Sequence, residues 1–250
     1  MKADVIQVVR SVESSSAIEG VHHKLKRYPR PVRDIHQIEL TTRCNLRCKY
    51  CPSPQKLRAH EDMTDETFAA AMDMVTFFVR QGTQTELSLT GIGESLMHPR
   101  FVDMVEFARR VIGSKRDLVV TTNGLLLDDK MCAAIAPFAP KVFVSLHRPE
   151  KAGPAVEAAK RAGIFAGANP APSVSAFDWA GQVKWHVSAP RTACEYLRLG
   201  WGVVLVDGRV TTCCLDATGG GAFGTVWDDP ERLAMSPWDL CSSCHMDVPK

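Results

Sequence analysis

The 250-residue sequence predicts an α/β protein: a partial TIM-like (β/α) barrel of five to six units with a small C-terminal cysteine section. Three observations carry that expectation. Short β-branched runs alternate with amphipathic helical stretches from about residue 35 to 170, the order that builds a parallel sheet with right-handed crossovers. The units number five or six, too few to close an eight-stranded barrel. From Cys194 onward the alternation stops, and a hairpin pattern with further cysteines takes over. The expected sections are an N-terminal extension (1–34), the barrel (35–185) and the cysteine section (186–250).

Each element has its own signal. "IHQIELTT" (35–42) alternates and is β-branched, so it reads as the first strand. A cysteine loop follows, then a helix over 65–80. Phe68, Met72, Val75 and Val79 share one face of it, and Asp65 and Glu66 suit its N-terminal turn. "TELSLTG" (85–91) is the second strand. The helix after Pro99 turns Phe101, Val105, Ala108 and Ile112 inward and stops at Gly113. "DLVVTTNG" (117–124) is the third strand, with a short helix over 128–136 ended by Pro137. "KVFVSLH" (141–147) is the fourth, with a helix to Ala162, and "IFAGANP" (164–170) a weaker fifth. In "GWGVVLVDGRVTTCCLD" the Asp207-Gly208 dipeptide marks a hairpin turn, and Gly219 to Gly221 reads as flexible. The last section, of about 60 residues, is too small for a core of its own without a staple such as a metal.

Composition narrows the setting. With 45% hydrophobic and 23% charged residues the chain is ordinary for a soluble protein, and its net charge of +2 gives no reason to expect nucleic acid or membrane partners. No apolar stretch approaches the roughly 20 residues that span a bilayer. The first residues lack the apolar core of a signal peptide, so a cytoplasmic, reducing location is expected. Nine cysteines there point to metal binding or catalysis rather than disulfides. The basic run at 22–33 reads as a solvated arm.

"TTRCNLRCKYC" (41–51) places Cys44, Cys48 and Cys51 as C-x3-C-x2-C, with Tyr50 before the last. The loop follows the first strand, at the edge where barrels gather functional groups. Gly91 to Glu94, Thr121 to Gly124 and Ser145 to His147 share that edge. Structural zinc wants four closed ligands, and only His60 stands near as a fourth. An iron–sulfur cluster is held by thiolates at such short spacings, and three of them leave one iron open.

This constellation resembles the radical S-adenosylmethionine (radical SAM) superfamily. The resemblance implies a 4Fe–4S cluster on Cys44, Cys48 and Cys51 whose open iron is chelated by S-adenosylmethionine. Reductive cleavage of that co-substrate would give a 5′-deoxyadenosyl radical that abstracts a substrate hydrogen, with a flavodoxin- or ferredoxin-type reductant as partner. It also implies cofactor-binding roles for Tyr50, for Gly91, Gly93 and Glu94 of "GIGES", for Asn123 of "TTNG", and for Ser145. Glycines in "GIGES" would let backbone approach the ligand closely. Ser95 stands where the family usually has proline, a departure that weakens the case for a rigid loop.

Cys194, Cys213, Cys241 and Cys244 are similar to the shortened SPASM, or "twitch", domain, which binds one auxiliary 4Fe–4S cluster. The family's turn spacing selects Cys213 over Cys214, and zinc stays open as the alternative for four thiolates. Cys132, inside a helix, reads as core. Chains with this short plan include the 2-deoxy-scyllo-inosamine dehydrogenase family. That likeness implies oxidation of a secondary alcohol on a small polar substrate, with the auxiliary cluster accepting an electron. His147 is the catalytic candidate for the hydroxyl proton, and Arg148 and Asn169 the candidates for holding the substrate. Two other classes compete: radical modification of a peptide or protein side chain (crosslinking, epimerisation or formylglycine formation), and a non-catalytic iron–sulfur electron carrier, which has no need of an open iron.

Overall fold

A computed structural model describes residues 28–55, 57–83, 85–169, 179–184 and 192–247. Its centre is a parallel sheet of β1 (Asp34–Ile38), β2 (Leu87–Leu89), β3 (Leu118–Thr122), β4 (Lys141–Ser145) and β5 (Ala166–Asn169), paired in that order. Helices α1 (Asp65–Arg80), α2 (Phe101–Ile112), α3 (Asp129–Ile135) and α4 (Pro149–Arg161) follow the first four strands in turn. This is the partial barrel that the β/α alternation predicts.

The local causes are legible. Thr64 caps α1 by accepting from the Thr67 amide, and Phe68, Met72 and Val75 are buried against the sheet while Val79 is half-buried. All four inward residues expected of α2 are buried, and Gly113 ends that helix at φ 67°. Asp128 caps α3 through the Met131 amide, and Pro137 lies in the tight turn that follows. Cys132 is fully buried in the apolar core, as expected.

The C-terminal section joins the same sheet. Strand β6 (Trp201–Val204) runs parallel to β1 on the side away from β2. Strands β7 (Arg209–Thr211) and β8 (Ala222–Thr225) extend it antiparallel. Gly208 turns the β6–β7 hairpin at φ 84°, a conformation that side chains disfavour. Two short helices, α5 (Glu195–Leu199) and α6 (Leu240–Ser243), complete the section.

Two expectations need correction. The described part of the basic run is not a solvated arm: Arg30–Pro31 pairs antiparallel with Ala234–Met235, and Val32 is buried. Residues 22–27 lie outside the described residues. Nor is the glycine run free. The Asp216 carboxylate accepts from the amides of Gly219 (2.8 Å), Gly220 (3.1 Å) and Gly221 (2.9 Å), and from the Thr211 hydroxyl. Among the described residues, no helix is long and apolar enough to cross a membrane.

Candidate active site and a second thiol cavity

The C-terminal ends of β1 to β4 surround a cavity of about 290 Å³. Cys44, Cys48, Cys51, Tyr50, Gly91, Gly93, Glu94, Asn123, Ser145 and His147 all line it. They come from four different loops, brought together because a parallel sheet puts every strand's exit on one edge. Arg148 and Asn169, expected to hold a substrate, are exposed and stand outside the lining. A tight turn, His147 N–H to the Ser145 carbonyl at 2.7 Å, separates His147 from the start of α4 and leaves Arg148 at the helix cap. His60 is exposed and outside the cavity too.

The thiols sit among donors. Cys44 accepts the Leu46 amide and Cys51 the Ser53 amide, each at 3.4 Å. Burial raises the Cys44 thiol above its usual range and pushes that of Cys51 up to about 11. Loss of those protons therefore needs a compensating positive charge. Three soft sulfur donors with amides aimed at them suit iron, and fit a cluster ligated at three corners. Among the described residues no three metal-binding side chains converge on a single-ion site.

The glycine loop is shaped by the protein itself. A Cβ on Gly91 would lie 2.3 Å from Glu39 Cγ, and one on Gly93 would lie 2.2 Å from the Thr41 carbonyl oxygen. Besides the expected room for a ligand there is a second demand for glycine: the loop lies directly on the end of β1. The Glu94 carboxylate is turned inward as well. It accepts from Thr122 Oγ1 (2.7 Å), the Asn123 amide (2.7 Å) and the Leu96 amide (3.3 Å), and its burial raises its pKa. Asn123 Nδ2 donates to Asn45 Oδ1 at 2.7 Å and lies 3.9 Å from Cys44 Sγ. Glu94 and Asn123 thus fasten the loops after β2, β3 and β1 to one another. Ser95 compensates for the missing proline by donating from its buried hydroxyl to the Leu89 carbonyl at 2.8 Å.

Tyr50 Oη lies 2.8 Å from His147 Nδ1. Burial, and then a hydrogen bond to Cys48, raises the Tyr50 pKa, while burial lowers that of His147. A phenol that donates to the Cys48 sulfur accepts from Nδ1–H, which leaves Nε2 of a neutral His147 as a free acceptor.

Three residues were not foreseen. Glu39, at the end of β1, is buried with Arg58 at 2.8 Å. Its carboxylate accepts the amides of Ile92 (3.0 Å) and Val206 (3.3 Å), while Arg58 Nε donates to the Ala217 carbonyl at 2.9 Å. One ion pair therefore joins the cysteine loop, the glycine loop and the C-terminal section. Trp179 lines the cavity from a left-handed turn, with φ 51° at Trp179 and 56° at Ala180. Gln182 Nε2 pins that turn to the carbonyls of Trp179 (2.6 Å) and Leu215 (2.7 Å). A strand end rich in charge and a lone tryptophan gave the only sequence signals.

Cys194, Cys213, Cys241 and Cys244 line a second, much smaller cavity of about 20 Å³. Cys214 does not line it. It is half-buried; burial raises its thiol pKa, and Tyr196 beside it partly offsets that rise. Burial pushes the Cys213 thiol well up. Met246 N–H reaches Cys244 Sγ at 3.4 Å, the same i+2 amide contact seen in the first loop.

Known proteins match this architecture. Residues 38–187 match the model of the Radical SAM superfamily. A GTP 3′,8-cyclase of Aquifex aeolicus is 32% identical over 133 residues, covering 51% of this chain and 39% of the relative. A tungsten-containing aldehyde ferredoxin oxidoreductase cofactor-modifying protein of Pyrococcus furiosus is 37% identical over 102 residues, covering 40% of this chain and 26% of the relative. The chain thus spans less than half the length of either protein. Among solved structures, BtrN in complex with AdoMet and 2-DOIA superposes with a TM-score of 0.65 at 17% identity, covering 79% of each chain. Native anSMEcpe with bound AdoMet and a peptide superposes at 0.56 and 15% identity, covering 80% of this chain and 79% of the other. The structural likenesses concern the fold, and the family match covers more than half of the sequence: the chain belongs to the radical SAM superfamily.

Proposed function

We propose that this chain oxidises a secondary alcohol on a small polar substrate to the ketone, with a second 4Fe–4S cluster as electron acceptor. The observation that carries the reading is the second cavity. Four thiols from three separate segments line one cavity, and the fifth nearby cysteine does not. Four ligands close a cluster to substrate and suit it to electron transfer. Cys44, Cys48 and Cys51 would hold the first cluster, and the space beside them S-adenosylmethionine. When bound, these groups supply hydrogen-atom abstraction and a low-potential electron acceptor.

The chain's own residues account for the rest. Loss of a hydrogen atom from the carbinol carbon, a proton from the hydroxyl and an electron to the second site balances as a two-electron oxidation. His147, neutral because it is buried, takes the hydroxyl proton at Nε2, with Tyr50 fixing the ring from Nδ1. The Glu94 and Asn123 bonds keep the loops in place, and Trp179 closes the cavity. Fold likeness to BtrN, whose structure holds AdoMet and 2-DOIA, supports an alcohol of the aminocyclitol class. The proposed partner is a flavodoxin- or ferredoxin-type reductant.

The test is the Cys241→Ala/Cys244→Ala variant, assayed anaerobically with S-adenosylmethionine and an aminocyclitol deuterated at the carbinol carbon. Circular dichroism must first show that the barrel survives. The expected result is 5′-deoxyadenosine carrying deuterium, with ketone release reduced at least about tenfold, the factor equal to 1.4 kcal/mol of barrier. A folded variant that makes ketone at the parent rate sinks the dehydrogenase reading. Modification of a peptide side chain would show instead as deuterium transfer from a labelled peptide and none from the alcohol.

A further inference from the structure

Trp238 stands three residues before Cys241 and lines the second cavity. Its carbonyl accepts the Cys241 amide at 2.8 Å, so its backbone begins the turn that presents that thiol. The ring lies flat on the glycine run. A Cβ on Gly221 would fall 2.4 Å from the ring's Cε2 and 2.5 Å from Nε1, and one on Gly220 would fall 3.1 Å from Cζ3. Asp216 holds that run in place through the three glycine amides. The glycines therefore serve as a floor on which an indole can rest, and a side chain at position 221 would evict it.

The indole Nε1 is buried, with no hydrogen-bond partner among the described residues. Buried indole N–H groups ordinarily find an acceptor, because an unmade bond at a buried donor is destabilising. The Asp216 carboxylate under the glycine run is already engaged by the three glycine amides and the Thr211 hydroxyl. The ring itself lines the small cavity that the four thiols share.

We propose that Trp238 Nε1–H donates a hydrogen bond to a sulfur of the group held by Cys194, Cys213, Cys241 and Cys244. This inference rests on the second-cluster reading above and adds a function to it. A donor aimed at cluster sulfur stabilises the added negative charge of the reduced state and raises the reduction potential. Trp238 is then the residue that makes the second cluster a better electron acceptor than its thiolates alone would allow.

The experiment uses the full chain with Cys44, Cys48 and Cys51 replaced by alanine, so that only the second site can carry iron. Reconstituted anaerobically, it should hold about four irons. An iron-free chain overturns the second-cluster reading and this inference with it. In the iron-loaded chain, Trp238→Phe keeps a flat ring on the glycine floor and removes only the donor. Redox titration should show the reduced-to-oxidised ratio at a fixed potential fall about tenfold, equal to 59 mV for one electron. The same chain grown with indole-15N tryptophan should show a 15N hyperfine coupling in the reduced-cluster resonance, absent from Trp238→Phe. Should the substitution expel the iron, the labelled chain with Trp238 intact decides alone. An intact cluster without 15N coupling overturns the hydrogen bond, as does an unchanged potential in iron-loaded Trp238→Phe.

Discussion

The two thiol cavities differ in what the protein leaves around the sulfur. The first offers three thiols and about 290 Å³, lined by hydroxyls, glycines, an imidazole and two aromatic rings. The second offers four thiols and about 20 Å³, closed by apolar side chains such as Leu197 and Leu240. The space between its thiols leaves no room for a co-substrate. Ligand count and free volume thus vary in opposite directions. The comparison teaches that an open coordination position is useful only where the fold has also cleared room for what will fill it. It also separates two ways of holding a loop. Around the first cavity, protein groups fix the shape: Glu39, Glu94, Ser95 and Asn123 are hydrogen bonded within the fold. At the second, Cys241 and Cys244 lie at a four-residue helix near the end of the described chain, held mainly by the Trp238 packing and the two-residue pairing of Met246–Asp247 with Thr192–Ala193.

The largest expected effect comes from removing the first set of thiols. Replacing Cys44, Cys48 and Cys51 with alanine should abolish 5′-deoxyadenosine formation and lower iron from about eight to about four per chain. Because the loop is held by protein bonds, the fold should survive. Any turnover of S-adenosylmethionine by the iron-loaded variant would break the comparison at its root. A smaller effect separates the adjacent cysteines. Cys213→Ala should lose the second set of irons, whereas Cys214→Ala should keep both sets. The latter should lose no more than about 1 kcal/mol of stability, because Cys214 and its neighbour Tyr196 are both half-buried. The reverse iron result would mean that the strand presents its opposite face to the cavity.

The sequence displayed the shared edge well and the bonds behind it poorly. Strand ends are readable because β-branched runs and helix stops alternate regularly, and a parallel sheet then forces their exits together. Hence the three thiols, Tyr50, Gly91, Gly93, Glu94, Asn123, Ser145 and His147 line one cavity, as expected. Glu39 and Arg58 were invisible for a physical reason. A carboxylate at a strand end and an arginine in a loop look solvated in sequence, and only three-dimensional closure buries both. The glycines were found, but one demand on them was invisible: close packing on Glu39 and Thr41 requires the same residue that close approach to a ligand does. Asp216 explains the other miss: glycine-rich stretches read as flexible until a carboxylate gathers their amides. The return of β6 to the β1 edge depended on a crossover that no local pattern encodes.

The smallest expected effect tests whether the first cavity's frame is built from many modest bonds. Ser95 is buried at the start of the tight turn Ser95–Met97, with its hydroxyl on the Leu89 carbonyl. That bond closes the loop from the last residue of β2 back onto itself, and Gly91 and Gly93 lie inside the closed stretch. Ser95→Ala removes one neutral hydrogen bond and creates almost no void. The expected cost is about 1 kcal/mol, which for a chain of this length lowers Tm by about 2–4 °C. Iron content should not change, because no thiol moves. The KM for S-adenosylmethionine should rise by less than about tenfold, since Glu94 still bonds to Thr122 and Asn123. A larger loss, with cleavage of S-adenosylmethionine abolished at unchanged iron, would show that one hydroxyl governs the loop. The contrast between a protein-framed first cavity and a metal-dependent second one would then fail.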